Sequence, residues 1–312
     1  SAKNRHLFSG PFYFCYQGGL TAWLNDFDPE VLILEANPRY LSAPQAIRWA
    51  RRRGRGLIAW GLGAPRGNTW IDRMQRAAWQ RFLAQFDTLI AYSAQGAQEY
   101  ASLGFPQKRI IVAPNAVSPR PTWPFPQRPA FDQQDPPVIL AVGRLQARKR
   151  IDLLLQACAA LPAPLQPQVW IVGDGPERSA LEALARQIYP QARFWGALFG
   201  ADLETLFRQA HLFVLPGTGG LAVQQAMSYG LPVIVAEADG TQGSLVRPQT
   251  GWLIRPGDLA MLVQTLNEAL QSAARLQTMG AAAYQVIQTD VNLEAMLAAF
   301  ARAVAITPGG AR

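Results

Sequence analysis

Apolar residues gather in short unbroken runs, and the stretches between them carry apolar positions at the three-and-four spacing of a helix. In the first half the runs 31–35 (VLILE), 56–60 (GLIAW), 88–92 (TLIAY) and 109–113 (RIIVA) predict buried strands, with helices at 42–53, 70–86 and 94–103 between them. In the second half, 138–143, 169–173, 212–216 and 232–236 repeat the scheme, with helices near 150–160, 177–188, 202–209 and 220–229. Strands apolar throughout, alternating with amphipathic helices, predict parallel sheets covered on both faces. The fold class is therefore α/β.

The two series are separated by SPRPTWPFPQRPAFDQQDPP (118–137), rich in proline and without regular periodicity. It reads as a linker between a domain at 1–117 and a domain at 138–290. A last helix near 291–305, within a terminal segment 291–312, carries Leu293, Met296, Leu297 and Phe300 as an apolar face that must pack on something.

With 312 residues, 49% of them hydrophobic, the chain has enough apolar surface for two cores. No apolar run approaches the ~20 residues of a membrane span, and SAKNRH at the start lacks the apolar stretch of a signal peptide. Cys15 and Cys158 lack metal or redox spacing and read as reduced core residues of a cytoplasmic protein. With only His6 and His211, a histidine-rich metal site is excluded and a Ser-His-Asp device is disfavoured. No metal or other cofactor is expected. The net charge of +8 is uneven: residues 1–117 hold 14 Lys/Arg against 7 Asp/Glu, residues 118–312 hold 15 against 14. The first domain is expected to face an anionic partner.

Three loops stand where second-half strands end, the edge at which open α/β sheets bind ligands. In VGRLQARKRIDLLLQA (142–157), Gly143 ends a strand, and Arg144 and Lys149 flank a loop before a helix opens near Ile151. A helix start attracts anions, Arg144 offers a bidentate fork and Lys149 a compact charge, a set that suits a diphosphate. In VWIVGDGPERSALEALA (169–185), Gly173 and Gly175 flank Asp174, itself either a cap or a ligand contact, and Pro176 opens the next helix. In the third, Gly217, Thr218, Gly219, Gly220 and Leu221 lead into a helix whose amides could cradle phosphate or sugar hydroxyls. Each loop taken alone is also compatible with a solvated or merely structural turn.

In this order and spacing the three segments resemble the family-4 retaining glycosyltransferases, whose GT-B fold has two Rossmann-like, doubly wound domains facing across a cleft. FDPEVLILEANPRYLS (27–42) and TLIAYSAQGAQEYASLGFPQKRIIVAPNAV (88–117) are similar to the acceptor-side domain of bacterial polysaccharide and glycolipid transferases. The resemblance implies that Arg144 and Lys149 bind a donor diphosphate, that 217–221 meets the sugar, that Gly143 belongs to the same donor site, and that the loop of Gly173, Asp174 and Gly175 lies by the nucleotide. It implies a nucleoside diphosphate sugar donor and a saccharide or lipid-linked acceptor. It also implies that the last helix returns to the first domain.

The sequence departs from that family at several places. Two glutamates with seven residues between them are matched here by Gly217 and Gln225. Gln242 and Ser244 stand where acidic residues are expected, and Leu62 of WGLG (60–63) stands where many members place a histidine. The first domain is short, its usual opening either trimmed or compressed into FYFCYQGGL. These changes leave a second reading open, a non-catalytic relative that binds nucleotide sugar or a partner, and a third, another GT-B activity such as a phosphorylase or epimerase.

SAPQAIRWARRRG (42–54) predicts a helix capped by Ser42 and stopped at Gly54, with Ala43, Ala46, Ile47 and Ala50 on one face and Arg48, Arg51 and Arg52 on another. Arg73 and Arg76 follow on the next helix. This is either a solvated face or one drawn to anionic headgroups at the inner surface of a membrane. Nucleic acid is not expected, since no binding motif and no aromatic interleaving accompany the charge.

Overall fold

The computed structural model describes residues 3–7, 14–64, 70–131, 135–237 and 242–309. The chain divides into two compact units, Ser1–Asn115 with Ala295–Arg312, and Ala116–Glu294.

Unit 1 opens with an antiparallel pair, β1 (Lys3–Leu7) and β2 (Phe14–Gly18), followed by α1 (Leu20–Phe27). The elements β3 (Val31–Glu35), α2 (Ala43–Arg52), β4 (Gly56–Gly61), α3 (Trp70–Leu83), β5 (Thr88–Ala91), α4 (Ala94–Ser102) and β6 (Ile110–Val112) then form a parallel sheet in the order β3-β4-β5-β6. Every crossover adds a strand on the same side, and right-handed connections of that kind put their helices on one face. Side-chain alternation divides the layers: Leu57 and Ala59 of β4 join the core under α2 and α4, whereas Ile58 turns to the opposite face. Ahead of that sheet stand the β1–β2 antiparallel pair and α1. Ser42 does not cap α2; its hydroxyl is used by β2 instead, accepting from the Gln17 amide at 2.7 Å.

Unit 2 runs β7 (Val138–Val142), α5 (Ile151–Ala159), β8 (Gln168–Val172), α6 (Arg178–Ile188), β9 (Arg193–Gly196), α7 (Gly200–Gln209), β10 (Leu212–Leu215), α8 (Leu221–Ser228), β11 (Val233–Ala236), α9 (Gln242–Leu245), β12 (Gly251–Ile254), α10 (Leu259–Ala269) and α11 (Ala273–Thr289). Its strand order, β12-β11-β10-β7-β8-β9, is doubly wound: β8 and β9 extend one way from β7, β10 to β12 the other. The strand order reverses between β7 and β10, so the loops that follow those two strands meet at the switch point. The periodic reading did not identify β9, β12, α10 or α11.

The last helix, α12 (Leu293–Ala305), begins in unit 2, and from Ala295 onward the chain belongs to unit 1. Ala299 and Ala303 are buried against Ile58, Ile90 and Ala113, closing the sheet face that the crossover helices leave uncovered. The packing face is Met296, Ala299, Phe300, Ala303 and Val304, while Leu297 is 62% exposed and faces away, unlike the face read from the sequence. Gly56, facing that layer, has no room for a Cβ beside the Pro308 carbonyl.

The proline-rich segment is no free linker: from Ala116 it belongs to unit 2. Arg128 inserts its guanidinium among the carbonyl oxygens of Phe207, Ala210, Tyr229 and Gly230, and Trp123 stacks on Tyr229 at 4.9 Å. Burial, aided by nearby Arg208, lowers the Arg128 pKa to about 10.

Candidate functional site

The loops at the unit 2 switch point are packed on one another through backbone. After β7 the chain passes Gly143, makes a 3-10 turn over Ala147–Lys149, and turns through Arg150 in the left-handed region (φ 54°) into α5. The loop after β8 lies directly beside it: Leu145 N donates to Asp174 O at 2.9 Å and Glu177 N to Leu145 O at 3.1 Å. A Cβ on Gly173 would collide with the Gly143 carbonyl, and one on Gly175 with that of Leu145. The close approach that these two glycines permit is thus made by neighbouring backbone. Asp174 Oδ1 accepts from the backbone of its neighbour, Gly175 N, at 2.7 Å, and its carboxylate lies 3.6 Å from the Arg178 guanidinium; it does not cap α6. Helix α6 starts only at Arg178, with Pro176 in the turn before it.

The loop after β10 is held from the other side. Thr218 N donates to Arg148 O at 2.9 Å, Arg148 Nη1 donates to Thr218 Oγ1 at 2.9 Å, and Lys149 Nζ donates to Thr218 O at 2.7 Å. A Cβ on Gly217 would overlap the Arg148 carbonyl, and one on Gly219 would stand 2.5 Å from Lys149 Nζ. Gln242, 1% exposed, donates to Gly219 O at 3.3 Å. The tripeptide 217–219 is therefore clamped between the basic turn 146–150 and the start of α9.

Four cations lie in this basic loop, and they are disposed differently. Arg150 pairs with Asp152 of the first turn of α5 at 3.1 Å, and Arg148 is engaged by Thr218 and Gln146. Arg144 is exposed and has no hydrogen-bond or ion-pair partner among the described residues. Lys149 lies against Gly143, where an added Cβ would come within 3.7 Å of its Cε. The structure thus brings Gly143, Lys149, Gly217, Thr218 and Gly219 together.

Helix α8 opens at Leu221 after Gly220, with no side-chain cap and no acidic residue in its first turn. Leu221 is 45% exposed, and Gln225 is half-buried with no side-chain partner among the described residues. Gln224 is 7% exposed and accepts from Val117 N at 3.2 Å, tying α8 to the segment that follows unit 1. Sequence reasoning did not single out Arg148, Gln224 or the clamping role of Gln242. Adjacency of 148 to 149 was the available signal for the first.

These features have an external counterpart. Residues 136–272 match the family model of group 1 glycosyl transferases, and residues 3–116 match that of the glycosyl transferase 4-like domain. The chain has the GT-B fold. This GT-B chain is similar to sulfoquinovosyl transferase SQD2 of Arabidopsis thaliana, 33% identical over 48% of this chain and 30% of that protein. It is 31% identical to a GDP-mannose-dependent monoacylated alpha-(1-6)-phosphatidylinositol monomannoside mannosyltransferase of Corynebacterium glutamicum, over 51% of this chain and 45% of that one. The chain thus spans less than half the length of these two relatives. Among solved structures, Anabaena HepE in complex with UDP superposes with a TM-score of 0.71 at 17% identity, covering 92% of this chain and 81% of that one.

The remaining sequence-predicted positions lie elsewhere. Leu62, 38% exposed, stands just beyond β4 in unit 1. His211 is committed to structure: Nδ1 accepts from Val138 N at 3.1 Å, and Nε2 lies 3.3 Å from Pro129 O. Burial lowers its pKa, so the ring is neutral with Nε2 carrying the hydrogen. Of the basic face, Arg48 and Arg52 are exposed, whereas Arg51 is paired with Asp87 at 2.9 Å. The side chains of Arg73, Ser244 and His6 lie outside the described residues, and Arg76 is half-buried. Among the described residues there is no group of three His, Cys, Asp or Glu that could hold a metal ion, and no helix long and apolar enough to cross a membrane.

Proposed function

We propose that this protein transfers a sugar from a nucleoside diphosphate donor to a saccharide or lipid-linked acceptor with retention at the anomeric carbon. The observation that carries the reading is the unpartnered Arg144 guanidinium on the loop whose Lys149 is fixed at the switch point beside Gly219. Arg144 and Lys149 stabilise charge on the departing diphosphate, a preorganised electrostatic role. The uncapped start of α8 adds backbone amides for a phosphate or sugar oxygen. Gln225 offers its carbonyl oxygen to ribose hydroxyls, without the charge a glutamate would add. The relatives' printed activities and the UDP held by HepE support a nucleotide sugar as donor. In retention by front-face attack the leaving phosphate accepts the acceptor's proton, so Leu62 in place of a histidine does not prevent turnover.

A second reading, a non-catalytic nucleotide-sugar-binding relative, is favoured by Gly217, Gln225 and Leu62 together. Arg48 and Arg52 are available for an anionic membrane surface in either case. The two readings separate in one assay: release of nucleoside diphosphate from UDP-, GDP-, ADP- and dTDP-sugars with a bacterial lipid extract as acceptor. Acceptor-dependent release, lost in Arg144→Ala/Lys149→Ala, supports transfer. Binding without release by the folded chain supports the second reading. An α-configured product from an α-configured donor, read by NMR, tests retention.

A further inference from the structure

Arg148 joins the basic loop to the loop after β10, and only neutral groups hold its guanidinium. Nε donates to Gln146 Oε1 at 3.0 Å and Nη1 to Thr218 Oγ1 at 2.9 Å, while Nη2 has no partner among the described residues. The residue is exposed, so its remaining N–H groups are open to a ligand.

Charge around this residue is unbalanced. Asp152 is paired with Arg150 at 3.1 Å, and Asp174 lies 3.6 Å from Arg178. Glu177, at the start of α6, follows β8, which flanks β7 on the side opposite β10. Glu237 follows β11, one strand beyond β10. The segment 217–221, Gly-Thr-Gly-Gly-Leu, carries no carboxylate, and the side chain that reaches it from α9 is the amide of Gln242. A nucleoside diphosphate sugar has one charge on each phosphate, which Arg144 and Lys149 match. Arg148 adds a cation that no described carboxylate balances.

Hydrogen-bonding character leads to the same ligand chemistry. The backbone amides at the uncapped start of α8 and the open guanidinium N–H groups all donate. The acceptors close by are already used: the Thr218 hydroxyl by Arg148, the Thr218 carbonyl by Lys149 and the Gly219 carbonyl by Gln242. A sugar hydroxyl is satisfied by donors and acceptors together. A carboxylate only accepts, and a planar guanidinium meets it with two parallel bonds. Holding the Thr218 hydroxyl would not by itself require a charge, since an uncharged amide can donate the same bond.

We infer that Arg148 is a specificity-determining residue, and that the donor sugar it selects carries a carboxylate, as a hexuronosyl group does. The inference rests on the transferase reading, which makes 217–221 the loop that meets the sugar. It does not depend on which nucleoside the donor carries.

The test uses sugar 1-phosphates, which keep the anomeric phosphate and lack the base. Dissociation constants for glucuronate 1-phosphate against glucose 1-phosphate, and for galacturonate 1-phosphate against galactose 1-phosphate, are measured by saturation-transfer NMR on the full chain. UDP, GDP, ADP and dTDP are titrated separately. In at least one pair the uronate should bind about tenfold tighter or more, as a charge-assisted hydrogen bond implies. Arg148→Gln should reduce that preference below about threefold, and Arg148→Lys should keep an intermediate one. Arg144→Gln should weaken both members of the pair alike and leave the preference intact. Thermal midpoints establish that each variant is folded. Absence of a uronate preference in both pairs, or its persistence in folded Arg148→Gln, would overturn the inference. So would an equal loss for uronate and parent sugar in Arg148→Gln, which would make Arg148 one more phosphate contact. Nucleoside diphosphate binding without a uronate preference would leave the transferase reading standing. A uronate preference without binding of any nucleoside diphosphate would instead remove that reading.

Discussion

The ammonium of Lys149 donates to the carbonyl oxygen of Thr218 at 2.7 Å, so a cation on the loop after β7 fixes the backbone of the loop after β10. The strand order requires these loops to be neighbours, because β7 and β10 flank the point at which winding reverses. On the proposed function, a single residue therefore both shapes the loop 217–219 and supplies charge for a diphosphate. Lys149→Met keeps the stem and removes the ammonium. We expect a loss of about 10- to 100-fold in nucleoside diphosphate affinity, from a charge-assisted hydrogen bond worth about 1.5–3 kcal/mol. Isothermal titration of the two proteins checks this.

Gly219→Ala probes the same contact from the other side. The new methyl would stand 2.5 Å from Lys149 Nζ and 3.2 Å from Leu215 Cδ2, at a backbone φ of 148°. The ammonium must leave the Thr218 carbonyl. Nucleotide affinity should fall by an amount similar to that for Lys149→Met, and the double variant should lose little more, because both remove one interaction. Additive losses would show that the contact is not shared.

Gly217→Glu restores the residue that the family pattern places there, yet it should not restore anything. Its Cβ would overlap the Arg148 carbonyl, which occupies that space in this chain. Backbone cannot move aside as a side chain can, so destabilisation by about 1–3 kcal/mol is expected from overpacking, with weaker nucleotide binding. Urea unfolding measures the first effect. A variant as stable as the parent and equal or better in binding would show that the loops adapt freely.

Arg128→Met should unfold more easily by about 3 kcal/mol or more, since buried carbonyls lose their donor partners. Arg128→Lys should recover only part, because an ammonium cannot reach the spread carbonyls of Phe207, Ala210, Tyr229 and Gly230 that the planar fork spans. Equal stability of all three proteins in urea would remove the clasp role of the 118–137 segment.

His211 makes stability depend on pH. Burial and Arg128 lower its folded pKa, against opposing contributions from the Pro129 carbonyl and Asp135, so the unfolded chain binds the proton more readily. Its contribution is whole above the unfolded value of about 6.5 and is lost as pH falls through the folded value. Protonation also turns Nδ1 from acceptor to donor against Val138 N. The thermal midpoint should fall between pH 7 and pH 5, and more steeply than in His211→Asn. Parallel slopes would contradict this.

The strands 31–35, 56–60 and 88–92 and the three glycine loops were legible because a fully buried strand is written as an unbroken apolar run, followed by a turn. β9 (RFWG) and β12 (GWLI) were not, being four-residue edge strands whose apolar run is cut short by Arg193 and Gly196 in the one and by Gly251 in the other. Helices α10 and α11 were passed over, although Asp258 and Ser272 cap them with side-chain bonds to Met261 N and Arg275 N. That Arg144 and Lys149 stand on one loop after β7 was legible from the strand end at Gly143 and the helix start near Ile151. The locking of Gly217 against Arg148 was not, because it depends on two loops 69 residues apart along the chain meeting at the switch point. The proline-rich segment misled for a related reason: lack of periodicity says nothing of a single arginine that finds a socket.

The most direct measurement is calorimetric titration of the full chain with UDP, GDP, ADP and dTDP, alongside Arg144→Ala and Lys149→Ala. One nucleotide should bind well above the rest, and both variants should weaken it at least tenfold without lowering the thermal midpoint. Absence of binding by any of the four, or equal binding by both variants, would contradict a donor site built on these two residues.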